Sequence, residues 1–260
     1  MVELGPLLFI LAFFLGASFG SFACAAASRT EAGVKWWGRE RSRCDGCGAA
    51  LAPRDLVPVL SFLALRGRCR FCGARIPRSC LAAELACGAL CAMFLWRFGA
   101  SYSFIFSSAS LPFLAFHTIT DADTGYIYDS WAFAMTGAAL LLRIAGGLPA
   151  LLDGAAGAAA GFAFIYAIIF LSRGRMGTGD AVLMLGIGAF TGLKLAAAAL
   201  YIGFMAGGVT ALVLLAAKKV TRKSAVPLGP FLCAGCAAAM LFGGKLTEYF
   251  GLTVPWPWTV

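Results

Sequence analysis

Gly177-Thr178-Gly179-Asp180 lies between the basic turn Ser172 to Arg175 and the apolar run Ala181 to Phe190. The stretch therefore places a carboxylate at the edge of an apolar helix. An ionisable group in a membrane costs about 3 kcal/mol or more, so such groups are rare and mark candidate functional sites. The alternative is that Asp180 caps the helix, with its oxygen accepting free backbone N–H groups. A second carboxylate of the same kind, Asp121, favours a functional role.

The composition of the chain indicates a membrane protein. Of its 260 residues, 61% are hydrophobic and 13% are charged, which lies well outside the range of soluble domains. Because helices satisfy their own backbone hydrogen bonds in lipid, the sequence predicts an all-α polytopic bundle of about eight transmembrane helices. The predicted spans are about Pro6 to Ala27, Leu81 to Phe98, Ser103 to Thr120, Ile127 to Arg143, Ala150 to Leu171, Ala181 to Leu195, Ala197 to Ala217 and Leu228 to Gly243. We divide the chain into a first transmembrane helix (1–27), a polar insert (28–80) and a seven-helix membrane domain (81–260).

Basic residues set the predicted topology. The net charge is +9, and 11 of the 21 Lys and Arg residues fall between Arg29 and Arg78. Six more follow in two later loops: Arg173, Arg175, Lys218, Lys219, Arg222 and Lys223. By the positive-inside rule these segments are cytoplasmic, which leaves the N-terminus outside. The other four are scattered singly at the opposite face: Arg97, Arg143, Lys194 and Lys245.

The same charge pattern decides between two kinds of partner. Basic residues clustered in loops, rather than in a stripe, argue against nucleic acid and suit the anionic headgroups of membrane lipids. The lead-in to the first apolar run carries Glu3 and no Lys or Arg, which is wrong for a secretory signal. We therefore expect the first helix to be retained.

Four cysteines in the insert have the spacing of a zinc site. Cys44-Asp-Gly-Cys47 and Cys69-Arg-Phe-Cys72 are separated by 21 residues, and each pair offers two thiolates to one half of a tetrahedron. Gly48 and Gly73 follow the two pairs directly, as a tight turn requires. The alternative is four unrelated thiols in a reduced loop. We expect a structural zinc site that folds the insert, because metal affinity becomes folding free energy where the core is small.

Counting the membrane crossings places Asp121 and Asp180 at the same cytoplasmic depth. Two carboxylates that meet cannot both ionise cheaply, so they share a proton and titrate as a pair. Aspartic proteases use such a pair to activate water and protonate the scissile carbonyl. Gly177 and Gly179 lack side chains and would let an extended peptide approach Asp180, although a plain loop break also explains them.

Other polar residues have simpler explanations. Asp123 and Asp129 flank the start of the fourth predicted span, where acids complement the helix dipole; a direct part in the chemistry is the alternative for each. Glu84 and Asp153 lie in first helical turns, where capping or dipole roles suffice. His117 lies four residues before Asp121 on the same helical face; it either tunes the aspartate pair or is a buried neutral histidine.

Small residues predict close packing at several positions. Gly16 and Gly20 form one face of the first helix, where helices pack closely. The cysteines outside the insert are interpreted as small packing residues: Cys24, Cys80, Cys87, Cys91, Cys233 and Cys236.

Taken together, the chain resembles the bacterial type IV prepilin peptidases over nearly its whole length. The matching segments are Gly20-Ser21-Phe22 with Arg29, Ser42-Arg43-Cys44 to Cys72 with Pro58, Ser61 and Gly67, Gly177-Thr178-Gly179-Asp180, and Pro227-Leu228-Gly229-Pro230-Phe231. The resemblance implies a multi-pass inner-membrane aspartic endopeptidase that cleaves the basic leader of prepilins or pseudopilins after Gly, at the cytoplasmic face. It also implies N-methylation of the new N-terminus with S-adenosylmethionine as methyl donor.

The resemblance further assigns residues. It implies that Asp121 and Asp180 are the catalytic aspartates and that Cys44, Cys47, Cys69 and Cys72 are the zinc ligands. Three positions depart from the family pattern: Cys24 stands for Asn, Val182 for Lys, and Tyr128-Asp129 for Pro-Asp. None of them removes a carboxylate of the pair.

Two alternatives come from other classes of protein. One is an ion-coupled transporter or channel whose intramembrane acids line an ion path, which would place those acids near the midplane. The other is a membrane-anchored zinc module that only recruits partners. The latter predicts that Asp180→Ala leaves function intact.

Overall fold

A computed structural model describes residues 5–37, 41–44, 46–173, 176–221, 226–249 and 257–258. Within these ranges the chain is helical, with only two isolated β-bridges. The α-helices are α1 (Pro6–Glu31), α2 (Leu60–Ala64), α3 (Arg78–Phe98), α4 (Tyr102–Thr124), α5 (Asp129–Arg143), α6 (Gly147–Leu171), α7 (Thr178–Thr191), α8 (Leu193–Ala216) and α9 (Gly229–Tyr249). Some residues used to predict the topology lie outside the described ranges: Glu3, Arg39, Arg175, Arg222 and Lys223.

The all-helical membrane fold predicted from the sequence is confirmed. Each predicted span overlaps one main helix, and α2 is the short helix inside the insert. The span Ala181 to Leu195 was predicted too far along the chain, because α7 ends at Thr191 and α8 begins at Leu193 after Gly192, which has φ of 78°. Five segments of the described chain are long and apolar enough to cross a membrane, one of them the 43-residue stretch Asp129–Leu171. That stretch contains α5 and α6, which are separated by the 3₁₀ turn Ile144–Gly146; α6 begins at Gly147, which has φ of 75°. The stretch is therefore two helices rather than one.

Two compact units make up the chain, Met1–Ala100 and Ser101–Val260. In the first unit, α1 packs along α3 through its small-residue face. A Cβ at Gly16 would overlap the carbonyl oxygen of Cys87, and a Cβ at Gly20 would lie 2.5 Å from that of Ala83. The close packing predicted for these two glycines is confirmed.

A disulfide joins the two helices where the insert leaves and rejoins them. Cys24 of α1 is bonded to Cys80 of α3, with Cα atoms 5.6 Å apart. The interpretation of these two cysteines as packing residues was therefore wrong, because the contact joins residues 56 positions apart and no local pattern reveals it. The other four cysteines outside the insert are buried and are not part of a disulfide, as packing requires.

In the second unit, α7 is the central helix and packs against α5, α6, α8 and α9. Apolar residues cover most of its length, including Leu183, Met184 and Ile187, which are fully buried. Close approach to α6 depends on facing glycines, since a Cβ at Gly157 would lie 2.5 Å from the carbonyl oxygen of Gly188. This packing fixes the helix that begins beside Asp180.

A buried arginine holds the far end of α7. Arg143 is fully buried and donates to the carbonyls of Ala189 and Phe190, at 2.7 and 2.9 Å. These carbonyls are in the last turn of α7, where no intrahelical donor reaches them. Arg143 also pairs with Asp153 at 3.1 Å. The sequence predicts a capping or dipole role for Asp153. In the structure Asp153 accepts the N–H of Leu193, the first residue of α8, and it also pairs with Arg143. The sequence does not reveal this ion pair, because it depends on the packing of three helices.

Candidate active site and metal centre

Asp121 lies one turn before the end of α4 and is only 5% exposed. Its Oδ2 accepts a hydrogen bond of 2.7 Å from the backbone N–H of Gly229, the first residue of α9. N–H groups in the first turn of a helix lack an intrahelical partner, so this one is free to hold the carboxylate. The contact orients Asp121 and places it at a helix N-terminus, where negative charge is favoured.

Asp180 lies in the first turn of α7, directly after Gly179, and is half-buried. Its carboxylate is close enough to that of Asp121 for a direct coulombic interaction. Cys233 of α9 is buried near both carboxylates. The structure thus brings together the two aspartates singled out in the sequence, from helices that start or end at this side of the unit.

The two glycines before Asp180 differ in their surroundings. A Cβ at Gly179 would lie 2.9 Å from Cβ of Ile127, in the loop between α4 and α5. Gly179 therefore permits close packing of α7 against that loop. Gly177 has extended backbone angles and no atom within 4 Å of where its Cβ would be. Of the two glycines, only Gly177 has open space around it.

The other acids singled out in the sequence are exposed or serve other contacts. Asp123 and Asp129 are exposed. Glu84 accepts a 2.7 Å hydrogen bond from the N–H of Val59 in the insert. Asp153 accepts from Arg143 and from the N–H of Leu193.

His117 is completely buried one turn before Asp121. Neither of its ring nitrogens has a hydrogen-bond partner among the residues that the structure describes. Its burial agrees with the prediction of a buried histidine.

The four insert cysteines form a cluster. All four Sγ atoms lie within 4.8 Å of one another, and those of Cys44 and Cys72 are 3.8 Å apart. A tetrahedral ion with bonds of about 2.3 Å requires ligands about 3.8 Å apart. The cluster is therefore the right size to hold a metal ion.

Two matching turns build this cluster. The N–H of Gly48 donates to the carbonyl of Cys44, and that of Gly73 to the carbonyl of Cys69. Both glycines have φ near 70°, the left-handed region that a side chain disfavours. Each turn is closed by an isolated β-bridge, Arg43 to Ala50 and Arg68 to Arg75.

Backbone N–H groups prepare one thiol for binding. Hydrogen bonds from the backbone of Cys72 and then of Phe71 lower the pKa of the Cys69 thiol to about 7. The thiolate is the form that binds metals. The turn geometry therefore favours the ligand form of this cysteine.

Gly229 is the site residue that the sequence did not single out for a role. It lies in the Pro227-Leu-Gly-Pro230 segment, quoted above only for its resemblance. The signal available was its position, since a Pro-Gly break before a span is expected to place free N–H groups at that end of the helix. Its partner, 108 residues earlier, could be found only from the fold.

Together these features define the class of protein to which the chain belongs. A polytopic helical membrane protein with two interacting aspartates at the ends of its helices has the arrangement expected of an intramembrane aspartic peptidase.

Comparison with known proteins gives the same answer. Residues 14–98 match the family model described as Bacterial Peptidase A24 N-terminal domain, and residues 108–212 match the Type IV leader peptidase family. The chain belongs to this family of peptidases. No solved structure matches it significantly.

Several similar proteins carry the name prepilin leader peptidase/N-methyltransferase. The one from Burkholderia pseudomallei is 36% identical over 78% of this chain and 67% of its own length. The one from Bacillus subtilis is 29% identical over 92% of this chain and 96% of its own, and the one from Neisseria gonorrhoeae is 30% identical over 68% and 64%. The transporter alternative finds no support among these proteins.

Proposed function

We propose that this chain removes the leader peptide from prepilins or pseudopilins, with Asp121 and Asp180 as its acid–base pair. The observation that carries the proposal is that these two carboxylates lie near enough for their charges to interact, with Asp121 held by the N–H of Gly229. Family membership supplies the reaction class, and the names of the relatives supply the substrate.

The pair has the parts needed for peptide hydrolysis. One carboxylate takes a proton from water, whose oxygen attacks the scissile carbonyl carbon, while the other, protonated, donates to the carbonyl oxygen. Collapse of the tetrahedral intermediate breaks the C–N bond, and the leaving amine takes up a proton from the pair. The hydrogen bond from Gly229 fixes the direction of Asp121 throughout. The open backbone at Gly177 gives an extended peptide a route to Asp180.

The second proposed reaction is methylation of the new N-terminal amine. S-adenosylmethionine is the co-substrate: its methyl group moves from the sulfonium to the amine nitrogen, which loses a proton. The names of the relatives support this step. In the described ranges there is no strand followed by a glycine loop and a helix, so we assign no residues to the methyl donor.

We propose zinc as the ion of the four-cysteine cluster. Four thiolates in a tetrahedral arrangement are the donor set of structural zinc sites, with no position left for a reacting molecule. Cys44, Cys47, Cys69 and Cys72 would hold the ion. Its contribution is to the folding of the insert.

We also propose the orientation and location of the chain. The positive-inside rule places the insert and the aspartate pair at the cytoplasmic face of the inner membrane, with the N-terminus outside. The basic loops predicted for that face support this orientation.

Co-expression with a prepilin carrying a Gly-Phe junction tests the proposal. We expect Asp121→Asn and Asp180→Asn each to lower the rate of leader cleavage at least about 100-fold, since general acid–base catalysis contributes that much or more. Asp123→Asn is the matched control, because Asp123 is exposed two residues away, and it should cleave normally. Normal cleavage by both Asp121→Asn and Asp180→Asn would refute the acid–base assignment. Loss of cleavage in Asp123→Asn alone would transfer the role to that residue.

A further inference from the structure

Several large apolar side chains of the insert are exposed, beside its many arginines. Trp36, Trp37, Leu60 and Leu63 are between 37% and 66% exposed, and we call these four residues the apolar rim. A small domain surrounded by water would bury such side chains or replace them. Two sets of contacts show at which level of the membrane helices they lie.

The first set ties the tryptophans to α1. The ring of Trp36 packs edge-on against that of Phe22, with centroids 6.1 Å apart, and its carbonyl accepts a hydrogen bond from Arg29. Phe22 lies two turns before Arg29. The chain therefore folds back along the end of α1, with the ring of Trp37 against that of Trp36 at 5.3 Å.

The second set ties the leucines to α3. The N–H of Val59, the residue before α2, donates to Oε2 of Glu84 at 2.7 Å. Leu60 and Leu63 are three residues apart and therefore share one face of α2. Glu84 lies in the second turn of α3.

Phe22 and Glu84, which anchor the apolar rim to α1 and α3, lie at about the same level along the two helices. The Cys24–Cys80 bond joins α1 and α3; Phe22 precedes Cys24 by two residues, and Glu84 follows Cys80 by four. At 1.5 Å per residue both anchors lie about 3–6 Å from the disulfide, on its membrane side. The apolar runs of α1 and α3 end within a few residues of this level, at Ala27 and Leu81. The residues that anchor the apolar rim therefore lie at the level where the apolar runs of both helices end.

The charge of the insert matches a lipid surface. Residues 28–80 contain 11 basic and four acidic residues, a net charge of +7. Arg54 and Arg66 are exposed on either side of α2. Tryptophan is enriched at membrane interfaces, and anionic headgroups attract basic segments beside them. Apolar side chains at the interface, flanked by cations, form the pattern of segments that lie on a membrane.

We propose that the insert rests on the bilayer surface, with the apolar rim among the headgroups and upper acyl chains and its arginines against anionic lipids. The four-cysteine cluster is then held next to the membrane by lipid contacts in addition to its two chain connections. This contact is independent of the aspartate pair.

Depth-dependent fluorescence quenching in lipid nanodiscs tests the proposal on the full-length protein. Leu63→Trp places a reporter in the rim, and Ala50→Trp places one at an exposed site on the first cysteine turn, without an anchor to α1 or α3 among the described contacts. In discs containing phosphatidylglycerol, we expect the Leu63→Trp emission, after subtraction of wild type, to be quenched at least twofold more by bromines near the headgroups than by bromines at mid-chain. The Ala50→Trp emission should be quenched by neither.

Two further measurements complete the test. Replacing phosphatidylglycerol with phosphatidylcholine should lower the quenching of Leu63→Trp at least twofold. Leu60→Trp provides a second reporter on the same face of α2 if the first variant does not fold. Absence of quenching at both rim positions, or equal quenching at Ala50→Trp, would overturn the proposal, and quenching independent of lipid charge would overturn its electrostatic part.

Discussion

At the scale of single residues, Gly229 connects the late Pro-Gly segment to the aspartate pair. Its N–H holds Asp121, and the direction in which a side chain would project is occupied by the same carboxylate. The position of Asp121 therefore requires both the N–H donor of residue 229 and the absence of a side chain there. A glycine that sequence comparison would treat as a loop break is an oriented hydrogen-bond donor.

Gly229→Ala is predicted to impair cleavage. Its Cβ would lie 2.7 Å from Oδ2 of Asp121, so the carboxylate must move and lose its hydrogen bond. A hydrogen bond to a charged group contributes about 1.5–3 kcal/mol, so we expect the cleavage rate to fall about 10- to 100-fold. Kinetics on a purified prepilin in detergent measure this change.

The matched control for this variant is Gly137→Ala. Gly137 lies within α5, and no atom is within 4 Å of where its Cβ would be. Alanine there should keep full activity and slightly raise stability, because glycine is the weaker helix former. If Gly229→Ala cleaved as fast as Gly137→Ala, the proposed role of the Gly229 hydrogen bond would be wrong.

At the scale of elements, α7 is held at both ends by α5 and the loop before it. Ile127 packs against Gly179 at the start of α7, and Arg143 binds the carbonyls at its end. The Arg143 side chain also contacts α6 through Asp153 and the carbonyl of Ala150. Because α7 begins beside Asp180, these contacts set the position from which that aspartate faces Asp121.

Arg143→Met is predicted to destabilise the protein by about 3–5 kcal/mol. The substitution leaves Asp153 without its cation, and breaking a buried ion pair costs this much because a charge remains uncompensated. Reversible unfolding in mixed micelles measures the loss, and cleavage should fall with it.

Two companion variants separate charge from packing. Arg143→Met combined with Asp153→Leu removes both charges and should recover part of the stability, since replacing a buried pair by apolar residues is often neutral. Arg143→Lys keeps the charge but has fewer donors for the α7 carbonyls, so its stability should be intermediate. Wild-type stability in Arg143→Met alone would show that the pair contributes nothing.

At the scale of the whole molecule, the metal cluster and the aspartate pair belong to different units. The cysteines lie in Met1–Ala100 and the aspartates in Ser101–Val260. The two family matches, residues 14–98 and 108–212, divide the chain at nearly the same place. Metal and catalysis are therefore expected to be separable by mutation.

Cys44→Ser combined with Cys72→Ser is predicted to abolish zinc binding. The expected stoichiometry is one zinc per wild-type chain and less than about one tenth of that in the variant, measured by elemental analysis after purification without added metal. The insert should become sensitive to protease, because metal binding supplies much of its folding free energy. The helical content of the membrane spans should be preserved.

Cys87→Ser provides the control, because Cys87 is a buried free thiol of α3 outside the cluster. It should retain one zinc per chain and a protease-resistant insert. Full zinc content in the double cluster variant would rule out the four-cysteine site.

The membrane fold and most candidate residues were accessible from the sequence because their signals are local. Hydropathy runs define the long helices, and the Cys-x-x-Cys spacing defines the cluster, whose turns follow from Gly48 and Gly73. Counting crossings also placed Asp121 and Asp180 at one level, and the structure brings them together.

Tertiary structure alone decided which distant residues meet. The Asp121–Gly229 hydrogen bond, the Arg143–Asp153 clamp on α7, the Val59–Glu84 contact and the Cys24–Cys80 bond join separate segments. Hydropathy determines that a helix crosses the membrane but not how it is rotated about its axis, since lipid accepts any apolar face. Close packing at glycines and the need to satisfy buried polar groups fix that rotation. Asp180 of the opening stretch lies near Asp121 only because the rotation of their helices is fixed in this way.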